Sequence, residues 1–138
     1  MAAAKAFSIL LVDDDELMAR EHAKVCTELP NVRVIGIAKN GAEALKLVKV
    51  MDPDLVLLDL VMPDVDGFVA LRLLMKGLPD TRVAVLSSRA EEAAVRDHCN
   101  QSGAVATLMK PLSSTALAPL IAAESRRARS LRDGDRVL

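Results

Sequence analysis

The sequence predicts an α/β fold, a flavodoxin-like (βα)5 doubly wound parallel sheet with strand order 2-1-3-4-5. Hydrophobic residues make up 51% of the chain and aromatic residues only 1%, so the core has to be built from aliphatic side chains, as in parallel strands that helices cover on both faces. Short aliphatic runs alternate strictly with segments of helical spacing, which is typical of right-handed crossovers in one parallel sheet. The 138 residues are too few for two ordinary domains. We therefore expect one domain over 1–130 and a solvated C-terminal tail, or the start of a linker, over 131–138.

Five aliphatic runs are predicted to be buried strands, because each is short and is bounded by polar or turn-forming residues. They are Phe7–Val12, Val32–Ile37, Leu55–Leu58, Val83–Leu86 and Val105–Met109. The helices between them are predicted from apolar positions that recur with helical spacing. They cover a segment from about Leu17 to Leu29, which Pro30 ends, then Ala42–Met51, Gly67–Met75, Ala90–Ser102 and Ser114–Ser130.

Three helix starts are predicted from individual residues. Asp15 is better explained as the N-cap of the first helix than as a ligand. Asn40 is predicted to cap the second helix, with Glu43 as its capping-box partner. A proline inside a helix removes a backbone hydrogen bond, and Pro119 would do so in a helix that began at Thr115. A later start, with Pro119 in the first turn, is therefore an alternative for the fifth helix.

Composition excludes several classes of function. The formal net charge of -1 provides no overall field that would attract nucleic acid or an anionic membrane. No apolar run is long enough to span a membrane, and Met1–Ala6 lacks the apolar stretch of a signal peptide. Cys26 and Cys99 lie in separate predicted helices without metal-ligand spacing, so both are interpreted as core residues. We expect a cytoplasmic protein that binds neither nucleic acid nor a membrane directly.

Polar side chains follow four of the predicted strands, at the edge of the sheet where folds of this kind bind ligands. Asp13 and Asp14 follow the first strand, Asp59 the third, Ser87 the fourth and Lys110 the fifth. The strands behind them are apolar, so these residues break the local pattern at one shared edge, as functional residues do. The turn after the first strand carries carboxylates in place of the glycines that let a phosphate approach, which disfavours dinucleotide or flavin binding.

The residue types at this edge predict a particular chemistry. Three neighbouring carboxylates need a counter-charge, and Mg²⁺ is the natural one because it prefers oxygen ligands. Lys110 adds a second positive charge. With both charges in place, the Asp59 carboxylate can attack a phosphorus atom to form an aspartyl phosphate, and the Ser87 hydroxyl can bond the product.

Four motifs, in this order along the chain, resemble those of the receiver domains of two-component response regulators, in particular the chemotaxis-regulator-like ones. Each motif alone is weak, whereas all four at the strand ends are specific. The resemblance spans Phe7 to about Ser130. The motifs are Val12-Asp13-Asp14, Leu58-Asp59-Leu60-Val61-Met62-Pro63 with Asp66-Gly67, Ser87, and Lys110-Pro111.

The resemblance implies that Asp59 is the phosphoacceptor, that Lys110 contacts the phosphoryl oxygens and that the Lys110-Pro111 bond is cis. The donor would be a phosphohistidine on a sensor histidine kinase or a phosphotransfer protein, and phosphorylation would change the surface offered to a downstream effector or output domain. The chain would then be no enzyme beyond catalysing its own phosphorylation and dephosphorylation. Which kinase and output take part, and whether the domain forms a homodimer, stays open.

The resemblance also implies a Mg²⁺ site formed by Asp13, Asp14, Asp59 and Val61. Asp14 would bind the ion directly, Asp13 would hold it through water, and Val61 would offer its backbone carbonyl. These roles come from the family pattern at the matching positions of this sequence.

Four other polar residues are expected to lie outside the site. His22 and His98 fall on predicted helices with no partner at metal-ligand spacing, so we expect surface or boundary positions rather than ligands. Asp52 and Asp54 flank Pro53 in the loop before the third strand and are expected to be solvated.

Three positions bear on how the phosphorylated state signals and decays. Thr107 stands where most receiver domains have an aromatic side chain that reports phosphorylation, and its hydroxyl could instead bond Ser87 or a backbone group. Val61 and Arg89, two residues after Asp59 and Ser87, are placed to help or obstruct the hydrolytic water. Val61 cannot hydrogen-bond that water and Arg89 can cover the phosphoryl oxygens, so we expect slow self-dephosphorylation.

Two other functions stay open. A Mg²⁺-dependent phosphohydrolase of the haloacid dehalogenase type also forms an aspartyl phosphate, but it uses a second Asp two residues after the nucleophile, where this chain has Val61. A pseudo-receiver would keep the fold and bind partners without phosphorylation, and the presence of Asp59, Ser87 and Lys110 argues against it. Uptake of phosphate from a small phosphodonor would separate the three functions.

Overall fold

One parallel sheet of five strands, with helices on both faces, confirms the predicted fold and the strand order 2-1-3-4-5. The structure, a computed structural model, describes residues 5–60 and 65–137, and side chains over 5–60 and 68–131. The strands are β1 (Phe7–Val12), β2 (Val32–Ala38), β3 (Leu55–Leu60), β4 (Val83–Ser87) and β5 (Ala106–Met109). The helices are α1 (Glu16–Thr27), α2 (Gly41–Met51), α3 (Val65–Gly77), α4 (Ala93–Gln101) and α5 (Ser114–Val137).

Each face of the sheet has its own aliphatic core. On one face α2, α3 and α4 pack on the strands through fully buried side chains such as Leu71, Leu74 and Cys99. On the other face α1 and α5 pack through Cys26 and Leu117. Burying one leucine side chain contributes about 1.5 to 3 kcal/mol, so such a core needs no aromatic residue. Both cysteines are free and buried, which confirms their interpretation as core residues.

Side-chain caps fix the starts of the first two helices. The Asp15 Oδ1 atom accepts hydrogen bonds from the backbone N–H groups of Leu17 and Met18, at 3.0 and 3.2 Å. The Asn40 Oδ1 atom accepts one from the N–H of Glu43 at 2.9 Å. These bonds satisfy N–H groups that the first helical turn leaves unpaired. Both predicted N-caps are therefore confirmed.

The fourth helix is shorter than the predicted Ala90–Ser102. It begins at Ala93 because the preceding residues form a separate turn. The Arg96 guanidinium donates to the backbone carbonyls of Ala90 and Glu91 at 2.9 and 2.6 Å. These two carbonyls lie in a turn before the helix. The α-helical hydrogen bonds therefore start three residues later than predicted, at Ala93 instead of Ala90.

The predicted start of α5 near Ser114 is confirmed, and the alternative of a later start, with Pro119 in the first turn, is wrong. The helix begins at Ser114 and Pro119 lies inside it. The Ser113 hydroxyl accepts a bond from the Ala116 N–H at 3.1 Å, which caps the start. Leu117 is fully buried in the core, so tertiary packing outweighs the single hydrogen bond that the proline removes.

The backbone of α5 also continues past Ser130 to Val137. Residues 131–138, predicted as a solvated tail or linker start, are therefore helical as far as Val137. Leu131 is 54% exposed, so the extension does not pack into the core at that residue.

No helix in the described ranges is long and apolar enough to cross a membrane.

The expectation that Asp54 is solvated is wrong. Its Oδ2 atom accepts hydrogen bonds from the backbone N–H and the hydroxyl of Ser8, at 2.8 and 3.1 Å. The N–H of Asp54 donates in return to the Ser8 hydroxyl at 3.0 Å. Asp54 thus joins the loop before β3 to β1 at the edge of the sheet opposite the carboxyl ends, whereas Asp52 is exposed as expected.

Candidate functional site

The carboxyl ends of four strands bring the predicted site residues to one edge of the sheet. Asp13 directly follows β1, and its N–H donates to the Ala38 carbonyl at the end of β2 at 2.9 Å. Asp59 lies near the end of β3 and Ser87 at the end of β4. The N–H of Lys110, after β5, donates to the Ser87 carbonyl at 3.1 Å. The peptide bond that follows Lys110 is cis, as predicted.

An open cleft of about 510 Å³ lies at this edge. Four of the residues predicted from the sequence, Asp13, Asp14, Asp59 and Lys110, line it, together with Asp15, Glu16 and Met18. Asp14 is exposed, whereas Asp13 is buried. The predicted backbone ligand at Val61 lies outside the described residues.

Asp59 and Lys110 form a close ion pair at the base of the cleft. The Lys110 Nζ atom lies 2.6 Å from Asp59 Oδ1. The side chains are 3% and 15% exposed, respectively. Charge-assisted hydrogen bonds of this length are among the stronger ones in proteins. The ammonium therefore holds one carboxylate oxygen of Asp59, and the other oxygen faces Asp13.

The carboxyl group of Asp13 is buried beside Asp59. Its Oδ1 atom accepts the N–H of Asp15 at 2.8 Å, whereas its Oδ2 atom is buried with no hydrogen-bond partner in residues 5–60 and 65–137. Burial is the main cause that raises the pKa of Asp13 to about 7, and the neighbouring carboxyl groups of Asp59 and Asp14 raise it further. When two carboxyl groups lie this close, one of them keeps its proton unless a cation compensates the charge of both.

His22 completes the buried part of the site, and the expectation that it lies at a surface or boundary position is wrong. It is 4% exposed. Its Nδ1 atom lies 3.8 Å from Asp13 Oδ2 and 4.0 Å from Asp59 Oδ2. Burial lowers the pKa of His22, and the charge of Lys110 lowers it further, while Asp59 and Glu21 act in the opposite direction. The neutral imidazole is therefore favoured.

Helical spacing could have identified His22 in advance. It lies three residues after Ala19 and four before Cys26, and both of these are fully buried. Residues at this spacing share one face of a helix, so His22 had to face the sheet next to the strand ends. His98, by contrast, is exposed on α4, and its ring contacts Phe68 edge-on with centroids 4.0 Å apart.

Ser87 has a hydroxyl that is available to donate. Its side chain is buried, and its Oγ atom accepts the N–H of Arg89 at 3.0 Å, so the hydroxyl hydrogen stays free for another acceptor. Thr107 does not bond Ser87, because its own hydroxyl is buried without a hydrogen-bond partner among the described residues. Arg89 is exposed, and its guanidinium pairs with Glu92.

A model of the response regulator receiver domain matches residues 9–122 of the chain. The chain belongs to this family. Receiver domains act in two-component signalling together with histidine kinases and output effector domains. The match spans every strand except the first two residues of β1, so the family assignment covers the whole sheet and the strand ends described above.

Individual relatives agree with this assignment. The chain is 37% identical over 110 residues to a protein-glutamate methylesterase/protein-glutamine glutaminase of Thermotoga maritima. The aligned region covers 79% of this chain and 32% of that protein. It therefore spans about a third of the length of such relatives. The response regulator domain of Thermotoga maritima CheB has a TM-score of 0.68 and 32% identity, covering 96% of this chain and 95% of that one.

A third similar protein carries a modified site. It is a response regulator protein from Burkholderia pseudomallei, whose crystal structure holds a phosphorylated aspartic acid, a calcium ion and citrate. The TM-score is 0.67 and the identity 26%, over 91% of this chain and 74% of that one.

Proposed function

We propose that this receiver domain is a phosphorylation switch that takes a phosphoryl group onto Asp59 in a Mg²⁺-dependent reaction. The observation that carries the proposal is the Lys110 Nζ atom 2.6 Å from Asp59 Oδ1, in a cleft that Asp13 and Asp14 also line. A carboxylate nucleophile needs positive charge beside the oxygens of the group it accepts. Lys110 supplies such a charge within contact distance of the acceptor itself.

The transfer follows from the two oxygens of Asp59. Lys110 bonds Oδ1, which leaves Oδ2 to attack the phosphorus atom of a phosphohistidine on a sensor histidine kinase or phosphotransfer protein. The P–N bond of the donor breaks as the new O–P bond forms, and the donor imidazole keeps the electron pair of the broken bond. Lys110 then moves its hydrogen bond to a phosphoryl oxygen, and the free hydroxyl hydrogen of Ser87 bonds another. The side chains of Lys110 and Ser87 thereby change their hydrogen bonds when Asp59 is phosphorylated.

The acidic residues fit Mg²⁺. The buried Asp13 Oδ2 atom lacks a hydrogen-bond donor among the described residues, and Asp14 places an exposed carboxylate at the same cleft. With Asp59 they offer only oxygen atoms on this side, as a hard cation prefers. We propose Asp13, Asp14, Asp59 and the backbone carbonyl of Val61 as its ligands or water-mediated partners. When bound, Mg²⁺ neutralises charge on the transferring phosphoryl oxygens.

The output of the switch is proposed as binding of a downstream effector or output domain after phosphorylation. Catalysis by the chain is limited in this proposal to its own phosphorylation and dephosphorylation, in the cytoplasm where its kinase partner would act. A phosphohydrolase is disfavoured because no carboxylate stands at position 61, the place of that family's general acid. A pseudo-receiver is disfavoured because the close ion pair of Asp59 and Lys110 is present.

Intact-mass measurement tests the proposal. Purified chain incubated with acetyl phosphate and Mg²⁺ is expected to gain one phosphoryl group, and Asp59→Asn to gain none. Release of inorganic phosphate over many turnovers without modified protein would favour the hydrolase. No gain of mass in the wild type, from acetyl phosphate or from a phosphorylated histidine donor, would favour the pseudo-receiver. Asp97→Asn, which replaces an exposed Asp on α4, is the matched control and should be modified like the wild type.

A further inference from the structure

We propose that His22 makes this cleft a site for a borderline transition-metal dication such as Zn²⁺, held by His22 Nδ1, Asp13 Oδ2 and Asp59 Oδ2. The inference goes beyond the proposed function, because it requires neither Mg²⁺ nor phosphoryl transfer. It adds a nitrogen ligand to the carboxylates, and imidazole nitrogen suits transition-metal dications.

The distances between the three ligand atoms are slightly longer than those around one shared ion. The three ligand atoms lie within 4.8 Å of one another, and the Nδ1 atom of His22 is 3.8 and 4.0 Å from the two carboxylate oxygens. A zinc ion lies about 2.1 Å from nitrogen and oxygen ligands, so it can bridge two ligand atoms up to about 4.2 Å apart. Tetrahedral geometry favours about 3.4 Å, which small side-chain movements would reach.

Burial provides an independent argument. The side chains of Asp13, His22 and Asp59 are 2%, 5% and 3% exposed. The Asp13 Oδ2 atom has no hydrogen-bond partner within the described ranges, and an unpaired buried polar group costs about 1 to 3 kcal/mol. The 3.8 Å between His22 Nδ1 and Asp13 Oδ2 is too long for a hydrogen bond. A bound cation would pair with the Asp13 oxygen and would be ligated by the imidazole of His22.

The chemistry of the donor set selects the class of ion. Imidazole suits Zn²⁺ and its neighbours in the transition series, whereas Mg²⁺ keeps to oxygen ligands and water. Water from the open cleft, or the carboxylate of Asp14, would complete the coordination shell. Lys110 stays on Asp59 Oδ1 and leaves Oδ2 available to the ion.

Metal binding to the purified, metal-stripped chain tests the inference. Zn²⁺ affinity is measured by competition with a chromophoric chelator, and Co²⁺ is added as an optical probe of nitrogen ligation. His22→Gln should lose Zn²⁺ affinity by at least on the order of tenfold, a loss that even an outer partner of a metal ligand causes. It should keep its Mg²⁺ affinity. His98→Gln removes the chain's other histidine and should bind Zn²⁺ like the wild type. Equal Zn²⁺ affinity in wild type and His22→Gln would overturn the inference.

A second measurement does not depend on how a variant folds. The ring ¹⁵N resonances of His22 in the wild type should shift when one equivalent of Zn²⁺ is added, and unchanged resonances would overturn the inference. Phosphorylation of the same samples in Mg²⁺ separates the two proposals. A wild type that binds Zn²⁺ through His22 but gains no phosphoryl group would refute the proposed function and support the metal site. A wild type that is phosphorylated but binds Zn²⁺ no better than His22→Gln would do the reverse.

Discussion

The Lys110 Nζ atom lies 2.6 Å from the Oδ1 atom of Asp59, so that an ion pair joins the ends of β5 and β3 across the end of β4. The attraction between buried charges is strong, but the cost of removing both from water is of similar size. Such a pair therefore adds little net stability, whereas removing one member leaves the other charge without compensation. The presence of this ion pair is therefore better explained by a functional role than by a contribution to the stability of the fold.

This relationship predicts how variants of the pair affect stability. Lys110→Met leaves the Asp59 carboxylate buried beside Asp13 and should lower the free energy of unfolding by about 3 kcal/mol. Adding Asp59→Asn should restore most of this loss, because no unpaired charge remains. Urea unfolding of the wild type, both single variants and the double variant in metal-free buffer at pH 7 gives the coupling energy. Lys49→Met, at an exposed lysine of α2, is the control. A coupling energy near zero would contradict the buried pair.

Asp13 predicts a pH dependence of stability. Its pKa is raised from 3.8 to about 7 in the folded chain, so between these values the folded state keeps a proton that the unfolded state has lost. Stability is then fully present below about pH 4 and is lost as the pH rises through about 7, by at most about 4 kcal/mol from this group. Asp13→Asn removes the effect, so its stability relative to the wild type should increase as the pH rises from 4.5 to 8.

Urea unfolding of wild type and Asp13→Asn at four pH values in this range, without divalent ions, measures that difference. Mg²⁺ added at pH 8 should restore stability to the wild type, because a cation replaces the lost proton as the counter-charge. A stability difference that is constant across the range would show that Asp13 titrates normally.

The sheet was predictable from the sequence because its strands are built mainly from short aliphatic runs, and Leu55–Leu58 shows this clearly. Each run had to be buried, and strict alternation with helices left one usual strand order. Asp59 was predictable as well, because a carboxylate directly after such a run departs from the pattern at the edge where strand ends meet.

The helical spacing of His22 indicates that it is buried, but the sequence does not show which residues it contacts. A histidine on a helix is usually explained by surface exposure, and no second ligand stands near it in the chain. Its neighbours in the site, Asp13 and Asp59, come from β1 and β3, so the cluster exists only after the sheet has formed. The later start of α5 that Pro119 suggested is wrong for a related reason, since the burial of Leu117 outweighs the helix-breaking preference of Pro119.

Asp14 predicts how Mg²⁺ stabilises the fold. Ligand that binds only the folded state raises the free energy of unfolding with its concentration, so thermal unfolding of the wild type should shift upward as Mg²⁺ is added. Asp14→Asn should have wild-type stability without metal, because Asp14 is exposed, and its midpoint should barely respond to Mg²⁺. Asp97→Asn again serves as the control for loss of an exposed carboxylate. An equal Mg²⁺ response in Asp14→Asn and the wild type would remove Asp14 from the site.

Arg89 and Glu92 predict the lifetime of the phosphorylated state. The N–H of Arg89 bonds the Ser87 hydroxyl, which fixes this residue at the edge of the site, but its guanidinium is paired with Glu92 at the surface. Exposed pairs of this kind are weak, so the charge of a phosphoryl group on Asp59 can compete with Glu92 for the guanidinium. A guanidinium that covers the phosphoryl oxygens obstructs the hydrolytic water and slows dephosphorylation.

Two variants should therefore change the decay rate in opposite directions. Arg89→Ala should lose its phosphoryl group about twofold faster than the wild type, and Glu92→Gln about twofold more slowly, in line with the small energy of an exposed ion pair. Decay is followed by intact mass after the phosphodonor has been removed, in Mg²⁺ and without a phosphatase. Urea unfolding of the unphosphorylated variants checks that stability is unchanged. If all three proteins decay at one rate, the Arg89 side chain has no part in protecting the phosphoryl group, and its pairing with Glu92 serves only the turn before α4.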